Sequence, residues 1–371
     1  MRIVLLSGAA VVHTVRWANG LAEGGHEVFL ISHQTPKNQL NENVNFIKLP
    51  NLGSFGYYLW APVVKIILMR IKPDIVNAHY ASGYGTLARL LKFHPYVLNV
   101  WGADVYTFPK RSFLHSRLLR KNLKAASIVC STSICMAEEV SINYPEISKE
   151  SIEITPFGVE IENFLQHSRP RINKKKMVVG TVKALYPKYG IDTLILAFSK
   201  LVKDAGASQI LCDVDLKLRI VGDGPLMDSL KQLTEDLGLV GCVDFVGRVD
   251  YDRVPEQLSD MDVYVALSRC DSESFGVAIV EAGATSCPVV VSNAGGLPEV
   301  VLDGVTGIVV PKDDPDSACE AIRVLLLDEQ LRLKFGELGR KHVTSNYSWK
   351  ESLAKMERVY EKAIRLKQGS T

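Results

Sequence analysis

Short apolar runs alternate with helix-period stretches along nearly the whole chain, and that rhythm predicts its architecture. In the first half, RIVLL from Arg2, EVFLIS from Glu27, DIVNAH from Asp74, YVLNVWG from Tyr96 and SIVCSTS from Ser127 read as buried strands, with VRWANGLAEGG from Val15 as a helix after the first. The second half repeats the pattern: MVVGTV from Met177, helix 191–206, KLRIVG from Lys217, helix 225–237, VDFVG from Val243, VYVAL from Val263, helix 276–286, PVVVS from Pro288 and GIVV from Gly307. Strands that alternate with helices predict parallel sheets joined by crossovers. The expected fold class is α/β, two Rossmann-like doubly wound domains with ligand contacts at the carboxyl ends of their strands, in the cleft between them. The stretch from Ser168 to Lys176 is dense in charge and lacks apolar periodicity, so it reads as the linker. Near the end, SWKESLAKMERVYEKAIRL is helical in pattern, with Leu353, Met356, Val359, Tyr360 and Ile364 as one apolar stripe that must pack on something.

Bulk properties exclude several classes. A chain of 371 residues, 47% hydrophobic and 23% charged, has an ordinary composition and room for about two domains. A net charge of +2 gives no polyelectrolyte character, so nucleic acid is not an expected partner. Seven cysteines without a CxxC pair argue against a zinc site or disulfide framework and fit a reducing cytoplasm. The N-terminal apolar run moves straight into a polar turn, so Ile3 to Leu6 reads as a first strand rather than a signal peptide. The nearest approach to a membrane span, Tyr57 to Met69, is broken by Pro62 and Lys65.

The most informative chemistry lies between Glu273 and Glu299. Glu273 and Glu281 stand eight positions apart around a glycine-led helix start; were most of the interval helical, they would lie about 12 Å apart. Carboxylate pairs that cleave glycosides sit only ~5 to 10 Å apart, so this pair suits two anchors on one long ligand better. At Gly276, backbone N–H groups at a helix start can approach a diphosphate closely. The turn Gly222-Asp223-Gly224-Pro225 follows a strand, with Pro225 suited to the first helical position, but the third glycine of a dinucleotide fingerprint is missing. Asp213-Val214-Asp215 mimics a metal-binding motif, yet no second acidic cluster accompanies it, and no metal is expected.

Glu273-Ser274-Phe275-Gly276, Glu281-Ala282, Pro288-Val289-Val290 and Gly295-Gly296-Leu297-Pro298-Glu299 together resemble the signature of retaining glycosyltransferases of the glycogen-synthase-like, group 1 class, in which seven residues separate two glutamates. Gly25 to Val28, Pro156 to Glu160, Lys183 to Asp192, Gly222 to Pro225 and Val246 to Arg248 are similar as well, so the resemblance covers nearly the whole chain. It implies the GT-B architecture: residues 1–168 for the acceptor, rejoined by the last helix at 348–371, and residues 169–347 for a nucleotide-sugar donor. It also implies roles. Glu281 accepts hydrogen bonds from both ribose hydroxyls, and Glu273 contacts the donor sugar near the reacting carbon. Phe275, Gly276 and Val277 line the donor, Gly222 lies beside the nucleotide, and Arg248 and Val249 reach the base. Lys183 and Lys188 form the basic pair on the leaving diphosphate, lysine at 183 standing where arginine is usual and losing the guanidinium fork.

On the acceptor side, His13 in the loop after the first strand, His79 after the DIVNA strand and Trp101 after YVLNV fall at strand carboxyl ends. Many relatives of the resembled class carry His-Gly where this chain has Trp101-Gly102, which makes Asp104 the better polar candidate for catalysis. Arg117, Arg120, Lys121 and Lys124 form one basic stripe on a helix, with Leu114, Leu118, Leu119 and Leu123 behind it; it offers anionic lipid a contact. Residues 1–168 carry a net +4 and the remainder −2, a bias in the same direction. The reading is a retaining, metal-independent hexosyltransferase. It needs no cofactor, takes a nucleoside diphosphate sugar with UDP preferred, and acts on a polysaccharide or lipid-linked glycan in cell-surface polysaccharide biosynthesis. It would work in the cytoplasm or at the inner face of the plasma membrane. A nucleotide-sugar 2-epimerase and a non-catalytic sugar-nucleotide-binding subunit are the alternatives.

Overall fold

A computed structural model describes residues 1–166, 176–207 and 214–369. The chain divides into two compact units, Met1–Phe157 with Ser352–Thr371, and Gly158–Glu351. The expected boundary at 168 and the charged stretch after it lie outside the described residues, up to Lys176, which opens a strand.

The first unit is built on a seven-stranded parallel sheet of β1 (Arg2–Leu6), β2 (Glu27–Ser32), β3 (Val44–Lys48), β4 (Ile75–His79), β5 (Tyr96–Val100), β6 (Ile128–Ser131) and β7 (Ile152–Ile154), in the order β3-β2-β1-β4-β5-β6-β7. The second has six parallel strands, β8 (Lys176–Val182), β9 (Asp215–Val221), β10 (Val243–Gly247), β11 (Val263–Ala266), β12 (Val289–Ser292) and β13 (Gly307–Val310), ordered β10-β9-β8-β11-β12-β13. The expected α/β class is thus observed. In each sheet the chain starts inside and winds outward both ways, so strand order reverses between β1 and β4 and between β8 and β11. Open parallel sheets bind ligands at such switch points, outside the carboxyl ends.

Ile3, Val4, Leu5 and Leu6 are all fully buried, because helices cover both faces of a parallel sheet. The same logic buries Phe198 under the second sheet, where truncation to alanine costs roughly 3 to 5 kcal/mol. Two strands fall outside the predicted set, β3 and β7. Both are edges; β3 is half exposed and β7 is three residues long, so neither carries a continuous apolar run.

The last helix, Trp349–Gln368, turns a slightly different face inward than predicted: Ser352, Met356, Val359, Tyr360 and Ala363 are buried, while Leu353 and Ile364 are only half-buried. From Ser352 onward it belongs to the first unit. Tyr360 accepts from Asn77 Nδ2 of β4 at 2.5 Å, Asn77 in turn accepts from Asn99 Nδ2 of β5 at 2.5 Å, and Glu357 pairs with His26 at 2.9 Å. Buried amides at the sheet centre are thereby satisfied from a segment remote in sequence. Two further corrections concern helix starts. The expected helix 276–286 runs Val277–Ala284, and the helix after the Gly222 turn begins at Met227, which leaves Pro225 in the turn ahead of it.

Candidate functional site

In the second unit, β8 ends at Val182 and the chain passes at once to Lys183; β11 ends at Ala266 and its loop carries Glu273. The two strands are neighbours at the switch point, so their loops meet. Lys183 Nζ donates to Glu273 Oε1 at 2.7 Å, with the side chains 14% and 12% exposed. Burial alone would lower the lysine pKa; the Glu273 carboxylate, with Tyr264 and Tyr189, more than reverses that, so the ammonium is held above its ordinary value. Lys188 joins through an aromatic ring: Lys183 Nζ and Lys188 Nζ each lie 4.7 Å from the centroid of Tyr189. Glu281 is buried on the helix Val277–Ala284. It raises the pKa of Tyr264 on β11, as Glu273 also does, while Lys183 opposes; burial is the largest cause, and the phenol is pushed up to about 12. Glu273, Glu281 and Lys183 therefore all act on one buried hydroxyl.

The loops that carry these groups are fixed by close backbone approaches. A Cβ on Gly222 (φ +143°) would fall 1.9 Å from the Lys183 carbonyl oxygen, so only glycine lets the β9 turn lie against the β8 turn. Across the same seam, the Lys183 N–H donates to the Val221 carbonyl at 2.9 Å, and on the β10 side the Gly222 N–H donates to the Gly247 carbonyl at 2.8 Å. Arg248 follows Gly247 and is exposed, and Val249 is half-buried beside it. Gly276 caps its helix in the left-handed region (φ +84°, ψ 54°), and a Cβ there would meet Leu297 Cδ2 at 2.7 Å. This corrects the 12 Å spacing: helix begins only at Val277, so half the interval from Glu273 to Glu281 is irregular and the helical rise does not apply. Glu273 is braced in turn, its carbonyl accepting from the Gly296 N–H at 2.9 Å. Phe275 is buried with its ring 5.5 Å from that of Tyr347, and Val277 is half-buried.

Sequence reasoning missed Tyr189, Tyr264 and Arg269. Arg269 Nη1 donates to the Pro187 carbonyl at 3.1 Å, and Nη2 donates to Asp192 at 2.7 Å and Thr193 at 2.9 Å. Its Nε donates to Asp313, and its N–H to the Lys188 carbonyl at 2.8 Å. One guanidinium thus pins the lysine loop on both sides of Lys188. The available signal was an arginine four residues before Glu273; the position of Tyr189 beside Lys188 was another. Asp213 lies outside the described residues, and Asp215 pairs with Lys217 at 3.1 Å. No group of three or more His, Cys, Asp or Glu among the described residues is placed to hold a metal.

In the first unit, His13 is not in a loop: it is the second residue of the helix Val12–Glu23. His79 is the last residue of β4, and Trp101 directly follows β5. The three come together. The His13 ring stacks on Phe157 at 4.1 Å, Trp101 meets Phe157 edge-on at 5.4 Å, and His79 lies 4.4 Å from Trp101. Ser7, just past β1, shares a 3.0 Å hydrogen bond with His79 Nδ1 across the switch point, while His79 Nε2 is buried without a partner. Burial lowers His79 to about 3; burial and then Arg16 lower His13 to about 4. Both rings are therefore neutral. Asp104 is fully buried and accepts from the N–H groups of Ala81 (2.8 Å), Trp101 (3.1 Å) and Gly102 (2.9 Å), which makes it a brace for the two loops that carry His79 and Trp101. The basic stripe lies on the helix Phe113–Ala125, with Leu119 and Leu123 buried beneath it and Leu118 half-buried; Leu114 is exposed rather than behind it. Arg120 is taken by Glu146 at 3.0 Å. No helix among the described residues is long and apolar enough to cross a membrane.

Comparison with known proteins agrees with this layout. Residues 163–342 match the model for glycosyl transferases group 1, and residues 2–133 match the glycosyl transferase 4-like model. An uncharacterized glycosyltransferase of Methanocaldococcus jannaschii is 26% identical over 342 residues, 90% of each chain. A GDP-mannose-dependent alpha-(1-6)-phosphatidylinositol monomannoside mannosyltransferase of Mycobacterium tuberculosis is 30% identical over 218 residues; the match spans 56% of this chain and 54% of that protein. Among solved structures, Anabaena HepE in complex with UDP superimposes with a TM-score of 0.80 at 19% identity over 98% of this chain and 100% of its own, a likeness of fold. With one family model over most of each unit, the chain belongs to the group 1 family of glycosyltransferases.

Proposed function

We propose that this glycosyltransferase is a retaining, metal-independent hexosyltransferase that takes its sugar from a nucleoside diphosphate, UDP for preference, and delivers it to a hydroxyl of a polysaccharide or lipid-linked glycan in cell-surface polysaccharide biosynthesis. The observation that carries the reading is the convergence of Lys183, Lys188, Glu273 and Glu281 around Tyr189 and Tyr264 at the switch point of the second sheet. The two ammonium groups and the amides at the Gly276 helix start supply positive charge where a diphosphate leaving group gains negative charge, a task given to a metal in other transferases. Glu281 holds the ribose diol and Glu273 the sugar. Relatives lend support on the donor and the acceptor: HepE binds UDP, and the mycobacterial enzyme is named for GDP-mannose and a phosphatidylinositol mannoside. Retention rests on the resemblance to the two-glutamate class alone. In the first unit, His13, His79 and Trp101 form the acceptor side, with Asp104 as a positioning residue.

Thermal shift against UDP, GDP, ADP and their common sugars tests the donor. A rise with UDP that Glu281→Ala abolishes is the expected result; no rise with any nucleotide, or one that survives Glu281→Ala, counts against the ribose assignment. Turnover of donor without acceptor points instead to an epimerase.

A further inference from the structure

The helix Ala61–Ile71 is apolar on two sides. Ala61, Val64 and Leu68 face the core, yet Val63, Ile66 and Met69 are exposed, and Leu59 just ahead of the helix extends the same outward stripe. Phe55, on the turn before it, is 77% exposed, and Phe113 and Leu114, which open the helix Phe113–Ala125, are 76% and 73% exposed. Tyr58, next in sequence to Leu59, and Leu114 share the lining of one cavity of about 490 Å³ with Arg89, His115, Arg117, Leu118 and Lys121. The cavity lining holds three permanent cations and no acid.

The charge around it is as one-sided. Residues 53–72 contain Lys65, Arg70 and Lys72, and residues 109–126 contain Lys110, Arg111, Arg117, Arg120, Lys121 and Lys124; neither stretch has a single Asp or Glu. Arg120 is paired with Glu146, and Lys110 lies 4.0 Å from Glu139. Arg117, Lys121 and Lys124 have no carboxylate within ion-pair range among the described residues and stand exposed on this helix, Arg117 and Lys121 sharing the cavity lining with Leu114. Protruding aromatic and aliphatic side chains amid unpaired cations are the composition of a surface that lies in a lipid interface. A protein partner is the poorer match, because interface cores are depleted of lysine.

We propose that the outward stripe of the helix Ala61–Ile71, the Phe113–Leu114 corner and the cation-lined cavity that Tyr58 and Leu114 share form a docking surface for an anionic phospholipid bilayer. Phe55, Leu59, Ile66, Met69, Phe113 and Leu114 enter the headgroup boundary, and Arg89, Arg117 and Lys121 receive a lipid phosphate. The surface lies wholly in the first unit and uses none of the donor-side groups, so it stands whether or not the donor reading holds.

Sedimentation of the full chain with vesicles of phosphatidylcholine alone and with 30% phosphatidylglycerol tests it, with no turnover required. The expected result is binding to the anionic vesicles only, weakened at high salt. Arg117→Glu and Lys121→Glu should each cost roughly fivefold or more, from about one cation's attraction to the surface. Leu59→Ser with Leu114→Ser should lower binding with the charge unchanged, and circular dichroism and gel filtration should confirm each variant as folded and unaltered in size. Equal binding to neutral vesicles, no binding to either, or full binding by both sets of variants overturns the proposal. So does a dimer that the serine variants dissociate without a change in vesicle binding, which would assign the face to a second copy.

Discussion

Glu273 accepts a 2.7 Å hydrogen bond from Lys183, joining the carboxyl ends of the two central strands of the second sheet. Each residue is mostly buried, so each depends on the other's charge. Glu273→Gln leaves an ammonium without a counter-charge, at a cost toward the lower end of ~3 to 5 kcal/mol in urea unfolding. The double variant Glu273→Gln/Lys183→Met should recover part of that stability and none of the transferase activity. Equal stability of the single and double variants would show the pair to be uncoupled.

Tyr189 offers both lysines a ring at 4.7 Å. Tyr189→Phe keeps the ring and should stay near the parent activity, whereas Tyr189→Leu should lower kcat/KM roughly tenfold through lost cation–π contact. A phenylalanine variant as poor as the leucine one would move the role from ring to hydroxyl.

Gly222→Ala puts a methyl 1.9 Å from the Lys183 carbonyl oxygen at φ +143°. Strain and overlap together should cost roughly 3 kcal/mol or more and displace the Lys183 loop. Calorimetry should show a lower Tm, and nucleotide-induced stabilisation should shrink with it; an unchanged Tm would mean that the two turns separate freely.

The first unit should lose stability in mild acid. His79 and His13 are lowered to about 3 and about 4, below the ordinary 6.5 of the unfolded chain, so the unfolded state binds more protons between those values. The contribution of the neutral rings is complete above pH 6.5 and declines as pH falls toward 4, by at most about 1.4 kcal/mol per pH unit for each group. Thermal melts from pH 7.5 to 4 should show this decline, and His79→Gln should flatten it. An equally steep decline in His79→Gln would place the acid sensitivity elsewhere.

The central strands and the Glu273 to Glu281 block were legible because they use strong local signals: apolar runs buried on both faces, such as Ile3 to Leu6, and a glycine at a helix start that needs a positive φ. The edge strand β3 was not, since its sequence VNFIK buries one end and exposes the other. His13 was misplaced into a loop because no capping side chain marks where its helix begins. Arg269 and Tyr189 escaped because their importance lies in partners: Asp192, Pro187 and Asp313 for one, two lysines for the other. Such convergence comes from strand order, which periodicity along a single chain does not encode. The same holds for Asp104, whose three amide donors come from two separate loops.

The hydrogen bond from Asn77 to Tyr360 reaches across 283 positions of sequence. During synthesis β4 therefore waits with a polar gap at the heart of its sheet until residues 158–351, contiguous in sequence, have been made and the last helix follows. The half made first is finished last, and a premature stop before residue 352 would spare the later-made unit while leaving the earlier one open to proteases and aggregation.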